Sequence, residues 1–314
     1  MELLQSLFFS PLKGKLGFRA IRELANVHYW GTSVIPVLLG SALAFAYGGH
    51  FDLLVFLLLL PAAVSMHCVV NAYNHLFDFL RGTDGMENRD NPRFPIMYYG
   101  INPLYVLLLG FAYLGLALVL SLYVVWLSGW ELLVIGVIGA FVAVFYSGGP
   151  LPLSHYPLGE LASGFTMGGL IVFAVYFGMT GSLDWMVLLL ALPMILTIGL
   201  VCFVNNICDM EKDRINRKTL PILIGRSAAS RCFRVVYALT WICAFALSVI
   251  FFTEGCWVLP LSCFLCRKKL RRLYELSYEP ETRHEVMPLF SSLMPWLNVA
   301  YAIGILISGL FGLF

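Results

Sequence analysis

Long apolar runs are the feature that most limits what this chain can fold into. Nine stretches are dominated by Leu, Val, Ile, Phe, Ala and Gly, and a helix of roughly 20 such residues is what crosses a lipid bilayer. They are residues 30–48, 52–79, 103–126, 130–147, 158–180, 184–208, 230–253, 255–274 and 287–313. The sequence therefore predicts an all-α integral membrane protein with nine transmembrane helices, the eighth being the shortest apolar run.

The composition excludes several other classes of protein. Of the 314 residues, 60% are hydrophobic and only 12% are charged, about half the charged share of a soluble domain. So few charges could not cover the apolar surface of a soluble enzyme. Intrinsic disorder is excluded as well, because disordered chains have low hydrophobicity and high net charge. The formal net charge of +2 is too small to indicate a nucleic-acid partner, so we expect membrane lipids and no nucleic acid around this protein.

The basic residues predict the orientation in the membrane. All 20 Lys and Arg either precede the first predicted span or follow the apolar runs of the second, sixth and eighth. The positive-inside rule then places the N-terminus in the cytoplasm and the C-terminus outside, in the cell (inner) membrane. We predict that residues 1–29 form a cytoplasmic amphipathic segment on the membrane surface, and that residues 30–314 form a single nine-helix domain.

Acidic and amide side chains form one stripe on each of two predicted helices. Asn71, Asn74 and Asp78 fall at i, i+3 and i+7 near the end of the second helix. The sixth helix carries a matching stripe at i, i+4 and i+8, formed by Asn205, Asp209 and Asp213. Residues at these spacings share a helical face, and ionisable residues at membrane depth indicate a functional site.

Two such helix ends facing one another would make a site of oxygen ligands. Mg²⁺ prefers oxygen, and it commonly bridges a few carboxylates to substrate phosphates. Basic residues nearby would complete a polyphosphate site; they are Arg81, Arg89, Arg93, Lys212, Arg214 and Lys218. Four other arginines are expected to be ordinary solvated loop charges, namely Arg217, Arg226, Arg231 and Arg234. A diphosphate site beside an apolar interior favours an isoprenoid diphosphate as the substrate.

Three segments resemble a known family. The segment from Asn74 to Asp84 resembles the first aspartate-rich motif of the UbiA superfamily of intramembrane prenyltransferases, and the segment from Asn205 to Asp213, with Lys218 to Pro221 after it, resembles the second. The loop from Tyr146 to Pro152, with Leu158-Gly-Glu160, is similar to that of the branch that prenylates 1,4-dihydroxy-2-naphthoate in menaquinone synthesis. The resemblance covers the chain from about residue 30 to the end.

The resemblance implies nine helices around a central cavity that opens to the cytoplasmic face, and a Mg²⁺-dependent transfer of a prenyl group from a polyprenyl diphosphate to an aromatic acceptor. It implies that Mg²⁺ is held by Asn74, Asp78, Asp84, Asn205, Asp209 and Asp213. Diphosphate candidates are Arg81, Lys212 and Lys218, to which we add Asn71 from the same stripe. Tyr146 is expected near the acceptor, and we count it with Asp78, Asp209 and Asp213 as a catalytic candidate.

Some residues depart from the family pattern and leave alternatives open. His75 stands where the family usually has an Asp, and Cys208 stands where the naphthoate branch tends to have an Arg. The first span also lacks the Arg-Pro pair that helps to receive an aromatic acceptor. A UbiA-type terpene cyclase that needs no acceptor is therefore one alternative. A membrane transporter is a second, although the acids at a single membrane face argue against a polar route across.

Overall fold

The computed structural model describes residues 11–82, 89–149 and 152–312. Helices dominate this part of the chain, and apart from an isolated β-bridge between Gly14 and Ile101 it contains no strand pairing. The all-α class predicted from the apolar runs is confirmed. Asp84, one of the predicted metal ligands, lies outside the described residues.

Nine longer helices follow one another in the described part of the chain. They are α1 Gly31–Ala46, α2 Leu53–Leu80, α3 Pro103–Ser128, α4 Glu131–Ser147, α5 Gly159–Thr180, α6 Leu192–Cys208, α7 Arg226–Phe251, α8 Val258–Glu275 and α9 Arg283–Gly312. A short helix, Phe18–Leu24, precedes them, and other short helical segments lie between them, including Pro95–Tyr98, Met186–Leu190, Met210–Asp213 and Leu220–Ile224. The middle of α5, Gly164–Leu170, is a π-helix.

Length and hydropathy separate these helices into two groups. Six are long and apolar enough to cross a membrane, namely α2, α3, α5 and α7 together with α1 and α9 when the adjoining turns are included. Helices α4 and α6 are apolar but have 17 residues each, about 25 Å at 1.5 Å per residue. Helix α8 carries a basic C-terminal half. The structure thus has six candidate spans among its described residues, and nine spans remain a prediction.

The packing of the helices places α2 and α6 around a common interior. Helix α1 packs against α2, α5 and α9, while α2 packs against α3 and α4. Helix α6 packs against α5, α7 and α9. The largest buried apolar cluster joins α1, α5, α6, α7 and α9, and a smaller one ties Ala20 and Leu24 of the N-terminal segment to Val69 and Tyr73 of α2. The C-terminal ends of α2 and α6, which carry the two stripes, therefore face the same interior.

Glycines fix the position of α6 against α5. A Cβ added to Gly168 would lie 2.7 Å from Ile195 Cα, and one added to Gly164 would lie 2.5 Å from the Ile195 carbonyl oxygen. Real Cβ atoms do not approach backbone this closely, so only glycine permits this contact. The two helix backbones are in direct contact, with no side chains between them. This contact fixes the position of α6, and hence of the second stripe at its end, relative to α5.

Gly168→Leu should destabilise the protein. The added side chain overlaps the α6 backbone, which cannot give way like a flexible side chain, and overpacking of this kind costs about 1–3 kcal/mol. We expect the thermal midpoint in detergent to fall by at least about 2 °C. Gly115→Leu is the matched control, since a Cβ at exposed Gly115 on α3 meets nothing within 4 Å. Equal midpoints for the two variants would contradict the close contact.

Candidate active site

The two stripes meet at one cavity of about 590 Å³. Its polar end is lined by Asn74 and Asp78 of α2 and by Asn205, Asp209 and Asp213 at and beyond the end of α6. Along α2 the lining runs from Leu59 to Asp78, roughly 28 Å of helix. The wall at the other end is formed by apolar residues, several of them small, which include Leu59, Ala62, Ile135, Gly136, Gly139 and Ala140. The cavity thus joins a charged head region to an apolar tunnel.

The first stripe contributes a fixed amide and a buried carboxylate. Asn74 Oδ1 accepts a hydrogen bond from Ser147 Oγ at the end of α4, at 2.8 Å. Asp78 is 5% exposed, and both of its carboxylate oxygens accept from Arg217 Nη2, at 2.8 and 2.9 Å. Helix α2 places these groups one turn apart on its cavity-facing side, as the spacing predicted.

The second stripe lies at a break in the helix. Helix α6 ends at Cys208, Asp209 has φ −96° and ψ 12°, and a new turn begins at Met210. Asp209 Oδ1 lies 2.9 Å from Arg283 Nε and 3.5 Å from Arg93 Nη2. The break turns the Asp209 and Asp213 carboxylates toward the same cavity even though helix α6 has ended.

Asn205 and Asp213 complete this stripe. Asn205 Oδ1 accepts a hydrogen bond from Arg283 Nη2 at 2.6 Å. Asp213 is 3% exposed, and its burial raises the pKa of its carboxyl to about 6, although the nearby Arg217 opposes that rise. Arginines that lie far apart in the sequence therefore neutralise the acids of both stripes.

The prediction that Arg217 is a solvated loop charge is wrong. Its side chain is 10% exposed, lines the cavity and joins Asp78 of the first stripe to Asp213 of the second. Burial alone would lower the pKa of Arg217, but the two carboxylates raise it above its ordinary value. The i, i+4 spacing from Asp213 was the sequence signal that could have revealed this pairing.

Arg226 was also expected to be solvated, and it is not. Its guanidinium forms ion pairs with Glu211 and Glu279 and donates to the Tyr278 carbonyl oxygen. These contacts connect the second motif to the chain before α9. They lie outside the set of described residues that line the cavity.

The predicted diphosphate-binding residues divide into two pairs. Lys212 and Asn71 line the cavity, with Lys212 Nζ 4.5 Å from the centroid of the Phe94 ring and Asn71 Oδ1 3.4 Å from Asn26 Nδ2. Arg81 and Lys218 are not among the described residues of the lining. Arg81 instead donates to the carbonyl oxygens of Ser147 and Gly149, at 2.6 and 2.9 Å, and so fixes the end of α4.

Tyr146 lies in the cavity wall, as expected, and belongs to a buried polar network. Its hydroxyl lies 3.1 Å from Cys202 Sγ. Behind Cys202, Asn206 Nδ2 donates to Glu160 Oε1 at 2.9 Å. Tyr146, near the end of α4, is thereby linked through its hydroxyl to Cys202 of α6, whose neighbour Asn206 is tied to Glu160 of α5.

A second polar group on the cavity wall extends the first stripe of α2, as the spacing of His67 from Asn71 predicts. His67 Nδ1 lies 3.1 Å from Ser33 Oγ and 3.3 Å from Thr32 Oγ1, and all three residues line the cavity. His28, Tyr29 and His75 also line it. The first turn of α1 therefore contributes Thr32 and Ser33 to the cavity, and the turn before it contributes His28 where the family pattern has an arginine.

The donor atoms at the polar end are compatible with a hard divalent cation. Within residues 11–82, 89–149 and 152–312, no three His, Cys, Asp or Glu side chains lie close enough to hold a metal ion by themselves. Mg²⁺, however, usually takes one or two carboxylates and completes its octahedron with waters and substrate phosphates. The carboxylate and amide oxygens around the cavity are the hard donors that such a shared site uses, and they fit it.

Comparisons with known proteins agree with this geometry. Residues 33–311 match the UbiA prenyltransferase family. The chain is 34% identical to the 1,4-dihydroxy-2-naphthoate octaprenyltransferase of Bacillus subtilis, with 74% of each chain covered. It is 30% identical to a UbiA prenyltransferase domain-containing protein 1 homolog of Drosophila melanogaster, over 70% of this chain and 60% of that protein.

Solved structures show the same fold. A UbiA homolog from Archaeoglobus fulgidus, bound to GPP and Mg²⁺, superposes with a TM-score of 0.65 at 15% identity, covering 91% of this chain and 99% of the other. At that identity the likeness establishes the fold alone. The match along nearly the whole chain, together with the B. subtilis relative, establishes the family. This chain is a member of the UbiA prenyltransferase family.

Proposed function

We propose that this protein transfers a prenyl group from a polyprenyl diphosphate to an aromatic acceptor of the quinone-precursor type within the membrane. One observation carries the proposal: both aspartate stripes line the polar end of a single cavity whose other end is an apolar tunnel. The diphosphate fits the polar end, and the isoprenoid tail fits the tunnel. The name of the B. subtilis relative supports dihydroxynaphthoate as the first acceptor to test.

Mg²⁺ is the cofactor we propose, held by Asn74, Asp78, Asp84, Asn205, Asp209 and Asp213. When bound, it would neutralise the charge that develops on the departing diphosphate. Arg93, Lys212 and Arg283 line the same end of the cavity and add positive charge for the phosphate oxygens. In this proposal Asn71, which lines the cavity, hydrogen-bonds the head of the substrate.

The wall of the cavity suits an allylic carbocation. Tyr146 and Tyr29 line it, and the faces of aromatic rings attract cations. The small apolar side chains beyond them exclude water, which would otherwise add to the cation. Tyr146 therefore serves in our proposal as the catalytic aromatic residue beside the acceptor.

We propose nine membrane crossings, with the cavity open to the cytoplasm and the protein in the cell (inner) membrane. The placement of every Lys and Arg on one side of the nine predicted spans supports this orientation, with the N-terminus inside and the C-terminus outside. Residues 1–29 would lie on the cytoplasmic surface, and residues 30–314 would form one domain. Helices α4, α6 and α8 would complete the set, buried partly by their neighbours.

A product analysis tests the proposed function. Purified protein is incubated with Mg²⁺ and prenyl diphosphates of several lengths, with and without 1,4-dihydroxy-2-naphthoate, and the products are identified by mass. We expect a prenylated aromatic product only when the acceptor is present. A cyclic hydrocarbon formed without acceptor would establish the cyclase alternative. Solute flux in proteoliposomes without diphosphate release would establish a transporter.

His75→Asp should strengthen the response to Mg²⁺. His75 lines the cavity one turn before Asp78, so a carboxylate there adds negative charge beside the proposed ligands. We expect the Mg²⁺ concentration for half-maximal turnover to fall by at least about threefold. His50→Asp, an exposed site before α2, is the control. An unchanged Mg²⁺ requirement in His75→Asp would place residue 75 away from the metal ions.

A further inference from the structure

Arg217 occupies an unusual position between the two stripes. Its Nη2 donates to both oxygens of Asp78, while its Nε lies 3.7 Å from Asp213 Oδ1. The three side chains are 10%, 8% and 4% exposed. Asp78 ends α2 and Asp213 follows α6, so a single guanidinium joins the two halves of the proposed metal site.

The same carboxylates cannot serve Arg217 and a divalent cation in this arrangement. Two buried carboxylates this close together require a positive charge, and a buried charge that loses its partner is strongly destabilising. Arg217 supplies that charge here. A Mg²⁺ ion on the same oxygens would lie within a few ångströms of the guanidinium and repel it.

Arg217 can leave without movement of a helix. It belongs to a short connection in which its neighbours Asn216 and Lys218 are exposed, and its side chain already lines the cavity. Its buried Nε has no hydrogen-bond partner among the described residues, because 3.7 Å is too long for one. A rotation of the side chain within the cavity would bring the guanidinium to the space proposed for the diphosphate.

We propose that Arg217 is an exchangeable counterion, which neutralises Asp78 and Asp213 in the substrate-free protein and binds the diphosphate of the substrate once Mg²⁺ takes over the two carboxylates. The inference rests on the proposed function. A guanidinium suits both partners, because its planar fork pairs with carboxylate and phosphate oxygens alike. The fold thereby keeps its acidic site neutral before the metal and substrate arrive.

Arg217→Met separates this role from a structural one. Without Mg²⁺ the variant should have a lower thermal midpoint than the wild type, because Asp78 and Asp213 lose their counterion. Mg²⁺ alone should restore most of that loss, since ligand binding to the native state stabilises it. By calorimetry, we expect the variant to bind Mg²⁺ in the absence of diphosphate at least about tenfold more tightly than the wild type, because no arginine has to be displaced.

The second half of the proposal has its own measurement. In saturating Mg²⁺, inorganic pyrophosphate should bind to Arg217→Met at least about tenfold more weakly than to the wild type. Tighter Mg²⁺ binding together with weaker pyrophosphate binding is the pattern expected of an exchangeable counterion. A purely structural arginine would not produce these opposite changes.

Arg226→Met is the matched control. Arg226 is also a largely buried arginine with two acidic partners, Glu211 and Glu279, but it lies outside the described cavity lining. Its replacement should lower the thermal midpoint by the same amount with and without Mg²⁺. If Arg217→Met does not fold, Arg217→Lys is measured in its place. We then expect changes in Mg²⁺ and pyrophosphate affinity in the same directions but of smaller magnitude.

The outcomes distinguish this inference from the proposed function. A wild type that transfers prenyl groups, combined with an Arg217→Met variant whose Mg²⁺ and pyrophosphate affinities match those of the wild type, would overturn the inference alone. Unchanged pyrophosphate binding would overturn the diphosphate role even if Mg²⁺ bound more tightly. A wild type with no Mg²⁺-dependent pyrophosphate binding and no prenyl transfer would overturn the proposed function.

Discussion

Asp209→Asn should lower the kcat of prenyl transfer by about 1,000-fold, which corresponds to about 4 kcal/mol of transition-state stabilisation. Asp209 lies at the break after α6, faces the cavity and is paired with Arg283 and Arg93. The amide keeps the shape of the side chain but removes the charge that would hold Mg²⁺ at the diphosphate. Initial rates with saturating substrates measure the effect.

The control for this variant is Asp184→Asn, which lies before the short helix Met186–Leu190 that precedes α6, so that the whole length of α6, roughly 25 Å, separates it from Asp209. The Asp184 side chain accepts a hydrogen bond from the Met186 backbone N–H, which an asparagine can also accept. We expect wild-type kcat for Asp184→Asn and similar thermal midpoints for both variants. A wild-type kcat for Asp209→Asn would remove the second stripe from the reaction.

Removal of Mg²⁺ should abolish turnover. Excess EDTA is expected to reduce the rate of diphosphate release to background, and added Mg²⁺ should restore it in full. Without the metal, the arginines and Lys212 would be left to stabilise the leaving diphosphate alone, and Arg217 would remain bound to Asp78 and Asp213. The amount of prenylated product, measured by mass after each addition, gives the rate without a coupling enzyme that itself needs Mg²⁺.

The fold should survive the same treatment. Arg217, Arg93 and Arg283 already neutralise the buried acids, so we expect the thermal midpoint of the wild type in EDTA to stay within about 3 °C of its value in Mg²⁺ without substrate. EDTA that has been saturated with Mg²⁺ beforehand is the control for the chelator itself. Turnover that persists in EDTA would contradict the proposed use of a metal.

The helices were the part of the fold best predicted from the sequence. The span predicted at 103–126 is the helix Pro103–Ser128, and that at 130–147 is Glu131–Ser147. The prediction was less accurate at 184–208, where the chain forms Met186–Leu190 and then begins α6 at Leu192. The apolar run continues through this break, and periodicity alone does not reveal that Pro193 begins a new helix.

The site was predicted only where it depends on local spacing. Helical periodicity placed Asn74 beside Asp78 on the face that lines the cavity. It could not place Arg283 on Asn205, because those residues are 78 positions apart and meet only when α9 packs against α6. The predicted diphosphate role of Arg81 also rested on local spacing, because Arg81 lies one turn after Asp78. Its guanidinium instead donates to the carbonyl oxygens at the end of α4, a contact between distant parts of the chain that spacing does not predict.

The backbone contact between α5 and α6 has a consequence for how this protein can vary. Gly164 and Gly168 contact the α6 backbone so closely that α6 cannot shift along α5. The position of Asp209, just after α6, is therefore set by contact between two helix backbones and not by the side chains around the substrate. Residues of the tunnel, such as Gly136 and Gly139, face open space where an added Cβ meets nothing within 4 Å. The wall that we propose to bind the isoprenoid tail can therefore be reshaped for isoprenoids of another length while the carboxylates keep their positions.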